Sequence, residues 1–288
     1  MKIYLRIILL HLLIATCLAG YSAISKSESI IIDTPQNRTV KIAMAQIFCF
    51  DGDRAGNFVR IENAIIDAKK QGAEIVTFPE SCILGWENPA AYQRAFPVPG
   101  EDSKKLCDLA RKYQIYMCIG LDEKDGDKLY DAALLIDNEG NILLKHRKIN
   151  VLPELMTPPY STGNKVSVVK TKFGNIGILI CADAFQKNLL DSIKMKQADL
   201  MLIPFGWAAK EEDWPVHGGE LTRLVQNVSR EVNCPVVGTD LIGQITNGPW
   251  TGFVYGGQSI ACNKPGIIIK TGKDRERDII IITIDLDK

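Results

Sequence analysis

From Val40 to the C-terminus, short apolar runs alternate with amphipathic stretches of helical period, and this alternation restricts the fold more than any other feature. "VKIAMAQI" reads as a buried strand. In "NFVRIENAIIDAKKQG", Phe58, Ile61 and Ile65 recur at three- and four-residue spacing and Gly72 ends the run, as a helix requires. "AEIVTFPE", "IYMCIGL", "ADLMLIPFG" and "CPVVGTD" are further strands. "DSKKLCDLARKYQ", "NLLDSIKMKQ" and "GGELTRLVQNVSREVN" are further helices. Three segments break the strict alternation: "LYDAALLID" and "NILLKHRKI" around "NEG", two strands in "KVSVVKTKFGNIGILIC", and two around "NKPG" read as hairpins. The pattern predicts an α/β fold with mixed sheets. No linker interrupts residues 40–288, so one large domain is expected there. Sites in such folds gather at the carboxyl ends of strands. Glu80, Cys181, Phe205–Gly206 and Thr239–Asp240 occupy such ends.

The N-terminus follows another rule. Lys2 and Arg6 precede an apolar stretch from Ile7 to Ala19 and then small residues, the layout of a secretory signal peptide over residues 1–23. Residues 24–39 read as a tether. Export to the periplasm or exterior is the expectation, with a lipoprotein anchor at Cys17 or an uncleaved anchor as the variants. After residue 25 no apolar stretch has the length of a membrane span. Lysine plus arginine equals aspartate plus glutamate at 34 each, so bulk charge makes no case for nucleic acid. Without Cys17, seven scattered cysteines remain and no CxxC pair exists, so no zinc site is expected.

In "FGNIGILICADAFQ", Cys181 ends an apolar run and Asp183 follows at a helix start. Alone, such a cysteine reads more readily as core than as nucleophile. A nucleophilic thiol needs a base, most often histidine. Outside the signal segment only His146, in "KHRK", and His217, before two glycines, are available for a Cys–His pair. A buried glutamate can also serve, with a lysine to hold developing negative charge. "VTFPESCILGW" supplies Glu80, and "LLKHRKINVLPE" supplies Lys148 and Glu154.

"FPESCILGW", "HRKINVLPE" and "GNIGILICADAF" occur in this order and together resemble the three signatures of the nitrilase, or carbon–nitrogen hydrolase, superfamily. "GGQSIACNKPG" is similar to that family's late strand and turn, and the resemblance covers residues 40 to 286. It implies a four-layer α-β-β-α sandwich and a Glu–Lys–Cys triad. Glu80 would be the general base, Lys148 the oxyanion stabiliser and Cys181 the nucleophile, with Glu154 orienting lysine and substrate. The Ala182 N–H would be a second oxyanion donor, and Trp86, Tyr160, Trp207 and Trp214 would contact substrate. The substrate would be a small amide, carbamoyl compound or nitrile, opened through a thioester with loss of ammonia or an amine. No metal or organic cofactor is implied. A homodimer or higher homo-oligomer is.

This chain departs from the pattern. Ala182 stands where the family usually carries Tyr or Trp, and Asp183 in place of a nitrilase's Glu favours amide substrates. Thr239–Asp240 replaces a common Asn, and Cys82, if near Cys181, offers an inhibitory disulfide. Amide-forming acyl transfer, nitrile hydrolysis and a catalytically inactive binding protein are the alternative readings on the same fold.

Overall fold

The first strand explains the layering. In a computed structural model describing residues 38–214 and 216–287, β1 (Thr39–Gln46) is buried from Ile42 onward. Ile42 and Met44 point into one hydrophobic core, Ala43 and Ala45 into another. A strand covered on both faces needs a continuous apolar run, which is what "IAMA" provides. The expected signal segment, and the tether up to residue 37, lie outside the described residues.

Sheet one is built around β1. It contains β2 (Ile75–Thr77), β3 (Tyr116–Asp125), β4 (Lys128–Ile136), β5 (Ile142–Arg147) and, at its far edge, β15 (Asp278–Asp285), in the order β15-β1-β2-β3-β4-β5. Strands β1, β2 and β3 are parallel, and their neighbours on either side are antiparallel. Sheet two repeats the plan with β6 (Val168–Thr171), β7 (Gly174–Ile178), β8 (Leu200–Phe205), β10 (Val236–Asp240), β13 (Ile260–Asn263) and β14 (Ile267–Thr271), in the order β14-β13-β10-β8-β7-β6. Here β7, β8 and β10 are the parallel trio. A small third sheet joins β9 (Ala208–Ala209), β11 (Ile242–Gln244) and β12 (Val254–Gly256).

Helices α1 (Arg54–Lys70), α2 (Ala91–Arg94) and α3 (Glu101–Tyr113) lie on the sheet-one side, while α4 (Lys187–Met195) and α5 (Val216–Val232) cover sheet two. Asp53 caps α1 by accepting the Gly56 N–H. One core fills the space between sheet one and its helices, through Ile61, Ile65, Leu106 and Met117. The other runs from the inner face of sheet one through sheet two to Leu221 and Val225 of α5. The order of layers is therefore α-β-β-α, as expected. The β4–β5, β6–β7 and β13–β14 hairpins are present. A hairpin between β3 and β4, and the third sheet, had no signal in the sequence reading.

Candidate active site

The two sheets meet at a cluster of buried charges. Glu80 lies three residues past β2, Lys148 directly follows β5, and Cys181 opens a one-turn 3₁₀ segment, Cys181–Phe185, after β7. Glu80 and Lys148 are buried, and Cys181 is 6% exposed. Close approach of backbone makes room for them. A Cβ on Gly120 of β3 would sit 2.6 Å from the Glu80 Cα, and one on Gly206 would sit 3.0 Å from Glu80 Oε2. Cys181 takes φ +39°, a left-handed conformation that costs a non-glycine residue about 1–2 kcal/mol and is characteristic of functional turns.

The hydrogen bonds tie one sheet to the other. Lys148 Nζ is 2.5 Å from Glu80 Oε1 and 3.2 Å from Asp131 Oδ2 on β4. The Gly206 N–H, just past β8, donates to Glu80 Oε2 at 2.6 Å. The Glu80 N–H donates to the Phe205 carbonyl at 3.2 Å. Thr77 and Thr239 hydroxyls meet at 2.6 Å. One cation thus serves two buried carboxyls beside a thiol. Burial, and then the Glu80 charge, push the Asp131 carboxyl well above its usual range, with Lys148 opposing. Burial alone would lower Lys148, but Glu80 and Asp131 raise it well above its ordinary value and keep it charged. Burial and Glu80 raise the Cys181 thiol, with Lys148 and the Gly206 N–H opposing. The resting thiol is protonated, with a carboxylate nearby to receive its proton.

Asp183 fixes the turn that carries Cys181. Its Oδ2 is 2.7 Å from His146 Nε2 on β5 and accepts the Ile180 N–H, while Oδ1 accepts the N–H groups of Ile149 and Asn150. Asn150 Nδ2 donates to the Ala182 carbonyl at 2.8 Å. The lysine's strand end and the cysteine's turn are therefore clamped together. Burial works against Asp183's charge, but His146 and the backbone N–H groups outweigh it and hold the carboxyl below its ordinary value.

The carbon-nitrogen hydrolase family model matches residues 41–288. This chain belongs to that family. A bifunctional nitrilase/nitrile hydratase of Nicotiana tabacum is 26% identical over 212 residues, which cover 65% of this chain and 61% of that protein's length. A carbon-nitrogen hydrolase of Helicobacter pylori superposes with a TM-score of 0.79 at 18% identity, over 87% of this chain and 90% of the other. An amidase of Nesterenkonia, described with the acetamide moiety of fluoroacetamide bonded to its active-site cysteine, superposes with a TM-score of 0.75 at 19% identity, over 88% and 93%.

Against this family background the remaining residues fall into three groups. Ala182 and Trp86 lie beside the cluster, Ala182 next to the thiol and Trp86 with its ring against Gly206 and its indole N–H without a hydrogen-bond partner among the described residues. Trp207 and Trp214 form an aromatic group with His217. Trp207 stacks on the His217 ring at 4.7 Å and donates its indole N–H to the His217 carbonyl, and Trp214 meets that ring edge-on. His217 is thus occupied by tryptophans and by Glu220, 3.4 Å from its Nδ1. Tyr160 donates to Asp122 at 2.7 Å in the sheet-one core. Glu154 is exposed on a short turn, Pro153–Leu155, and Asp131 takes the place beside Lys148 expected for it. Cys82 lies in the sheet-one core, donating to the Gly120 carbonyl, whereas Cys181 lies in the other core, and all seven described cysteines are free. Sequence reasoning missed Asp131 and Glu87. Among the described residues no cluster of three or more His, Cys, Asp or Glu is set to hold a metal ion, and no helix is long and apolar enough to cross a membrane.

Proposed function

We propose that this chain hydrolyses non-peptide C–N bonds in small linear amides through a Cys181 thioester. The observation that carries the proposal is the contact of 2.5 Å between Glu80 and Lys148 in the buried cluster that also holds Cys181. Glu80 accepts the thiol proton as Sγ bonds to the carbonyl carbon. Lys148 Nζ stabilises the oxyanion, together with the N–H of Ala182 at the start of the turn. Glu80 then returns the proton to the departing nitrogen, the C–N bond breaks and ammonia leaves. A water molecule, deprotonated by Glu80, attacks the thioester and restores the thiol. The cysteine adduct described for a variant of the Nesterenkonia amidase supports a nucleophilic cysteine. Asp183, standing where nitrilases carry Glu, supports the amide over the nitrile reading.

The test is ammonia release by the full chain from aliphatic amides, ureido acids and nitriles. Amides are expected to turn over, with activity abolished in Cys181→Ala. Full turnover in that variant would refute the thioester route. An acyl-transfer reading predicts that added amine diverts the acyl group from water to a new amide.

A further inference from the structure

Glu87 is a buried acid that this mechanism leaves unused. It follows Trp86 in the loop after β2, is 1% exposed, and takes φ +52°. Its Oε1 is buried without a hydrogen-bond partner among the described residues. Buried polar atoms kept for packing are nearly always hydrogen-bonded, so an orphaned carboxyl oxygen calls for another explanation. Glu87 feels the charges of Lys148 and Glu80 in the cluster, and also those of Asp122 and of Glu154 on the exposed turn. It is joined in the chain to Trp86, whose ring packs with Glu80 Oε2 around Gly206. Lys148 cannot serve it as a partner, being held by Glu80 and Asp131.

We infer that Glu87 receives the non-reacting end of the substrate, and that the preferred amides carry an ammonium or similar N–H-donating cation there in place of a carboxylate. The inference rests on the amide-hydrolase reading and narrows its substrate class. A carboxylate-bearing substrate would be desolvated beside Glu80 and a buried Glu87 with one cation, Lys148, already engaged by Glu80 and Asp131. An ammonium meets the opposite situation. It satisfies the orphaned oxygen, and Trp86, edge-on to Trp250 at 5.5 Å, supplies an aromatic wall that tolerates positive charge. Burial lifts the Glu87 carboxyl to about 8, so without a cation beside it the group is largely protonated at neutral pH; an arriving cation favours the ionised form.

The experiment compares 4-aminobutanamide, pentanamide and the monoamide of glutaric acid as substrates of the full chain. The ammonium compound is expected to exceed the neutral one by about tenfold in kcat/KM, as one charge-assisted hydrogen bond allows, and the carboxylate to fall below both. In Glu87→Gln the ammonium-to-neutral ratio should shrink toward one, chiefly through KM. Equal ratios in both proteins, or preference for the carboxylate, would overturn the inference. A second readout needs no turnover: butylammonium should slow iodoacetamide alkylation of Cys181 more than butyrate does, and Glu87→Gln should remove the difference. If no amide is hydrolysed, the functional reading fails, while protection by ammonium alone still supports the pocket. Protection by neither ion, or by butyrate alone, refutes it.

Discussion

Replacing Glu87 by glutamine should stabilise the protein, and by an amount that grows with pH. Burial raises this carboxyl from its ordinary 4.5 to about 8. Below pH 4.5 the group is protonated in both the folded and the unfolded chain and contributes no pH-dependent difference. Between 4.5 and about 8 the unfolded chain releases the proton and the folded chain retains it, so wild-type stability falls as pH rises. Above about 8 both states are ionised and the loss levels off. At 1.36 kcal/mol per unit, a displacement of about 3.5 units corresponds to about 5 kcal/mol, and relaxation with water entry brings the expected figure down to about 2–4 kcal/mol. Glutamine keeps the shape and the unpartnered oxygen but has no proton to lose. Urea unfolding of both proteins at about pH 5 and about pH 8.5 measures the effect. The variant's advantage should be below about 1 kcal/mol at the lower pH and reach that range at the higher one. An advantage independent of pH, or a variant less stable at pH 8.5, would refute the assignment of Glu87 as a buried, unpaired acid.

Lys148→Met should abolish ammonia release and cost about 3–5 kcal/mol at neutral pH by urea unfolding, because Glu80 and Asp131 then face each other without their cation. His217→Ala should leave ammonia release within about threefold, since its ring is packed between tryptophans; a loss near that of Cys181→Ala would favour the Cys–His mechanism. Asp183→Asn should flatten the acid limb of the stability profile. Asp183 is held below its ordinary value, so its contribution is present above that value and is lost as pH falls through the lowered one, and wild type alone should show that decline. Gly206→Ala should lower kcat with little change in secondary structure by circular dichroism, because the new methyl would sit 3.0 Å from Glu80 Oε2 and 3.1 Å from the Trp86 ring.

Glu80, Lys148 and Cys181 were legible as candidates because three signatures occur in order, each at a strand end, although each residue alone reads as core or surface. Asp131 was not. Inside "LYDAALLID" a polar residue reads as the solvent side of a strand, but from Leu129 onward β4 is buried on both faces, and that depends on layers far away in sequence. The apolar run "IYMCIGL" ends at Leu121, and Asp122 and Glu123 follow it. Both stay in strand β3, since Asp122 accepts from Tyr160 and Glu123 pairs with Lys145 and Arg147 on β5, across the intervening β4. Glu87 lies against Gly248, where an added Cβ would sit 2.8 Å from the Glu87 carbonyl oxygen, a contact no local pattern announces. The pairing of β1 with β15 joins the two ends of the domain, residue by residue from Thr39–Asp285 to Gln46–Asp278, and it too has no local sign.

The charge cluster is divided between two separately hydrogen-bonded sheets. Glu80, Asp131 and Lys148 belong to one, Cys181 and Gly206 to the other, and besides the shared apolar core the polar contacts across the seam are a few hydrogen bonds and one buried histidine–aspartate pair. A slip of one residue along a strand is about 3.3 Å, more than a hydrogen bond can stretch. Such a slip would leave every hairpin and helix intact while parting the thiol from its base. The chemistry therefore acts as a gauge of alignment. During heating or in mild denaturant, the reactivity of Cys181 should change before the helices melt, and the protein would fall silent as a catalyst while still looking folded.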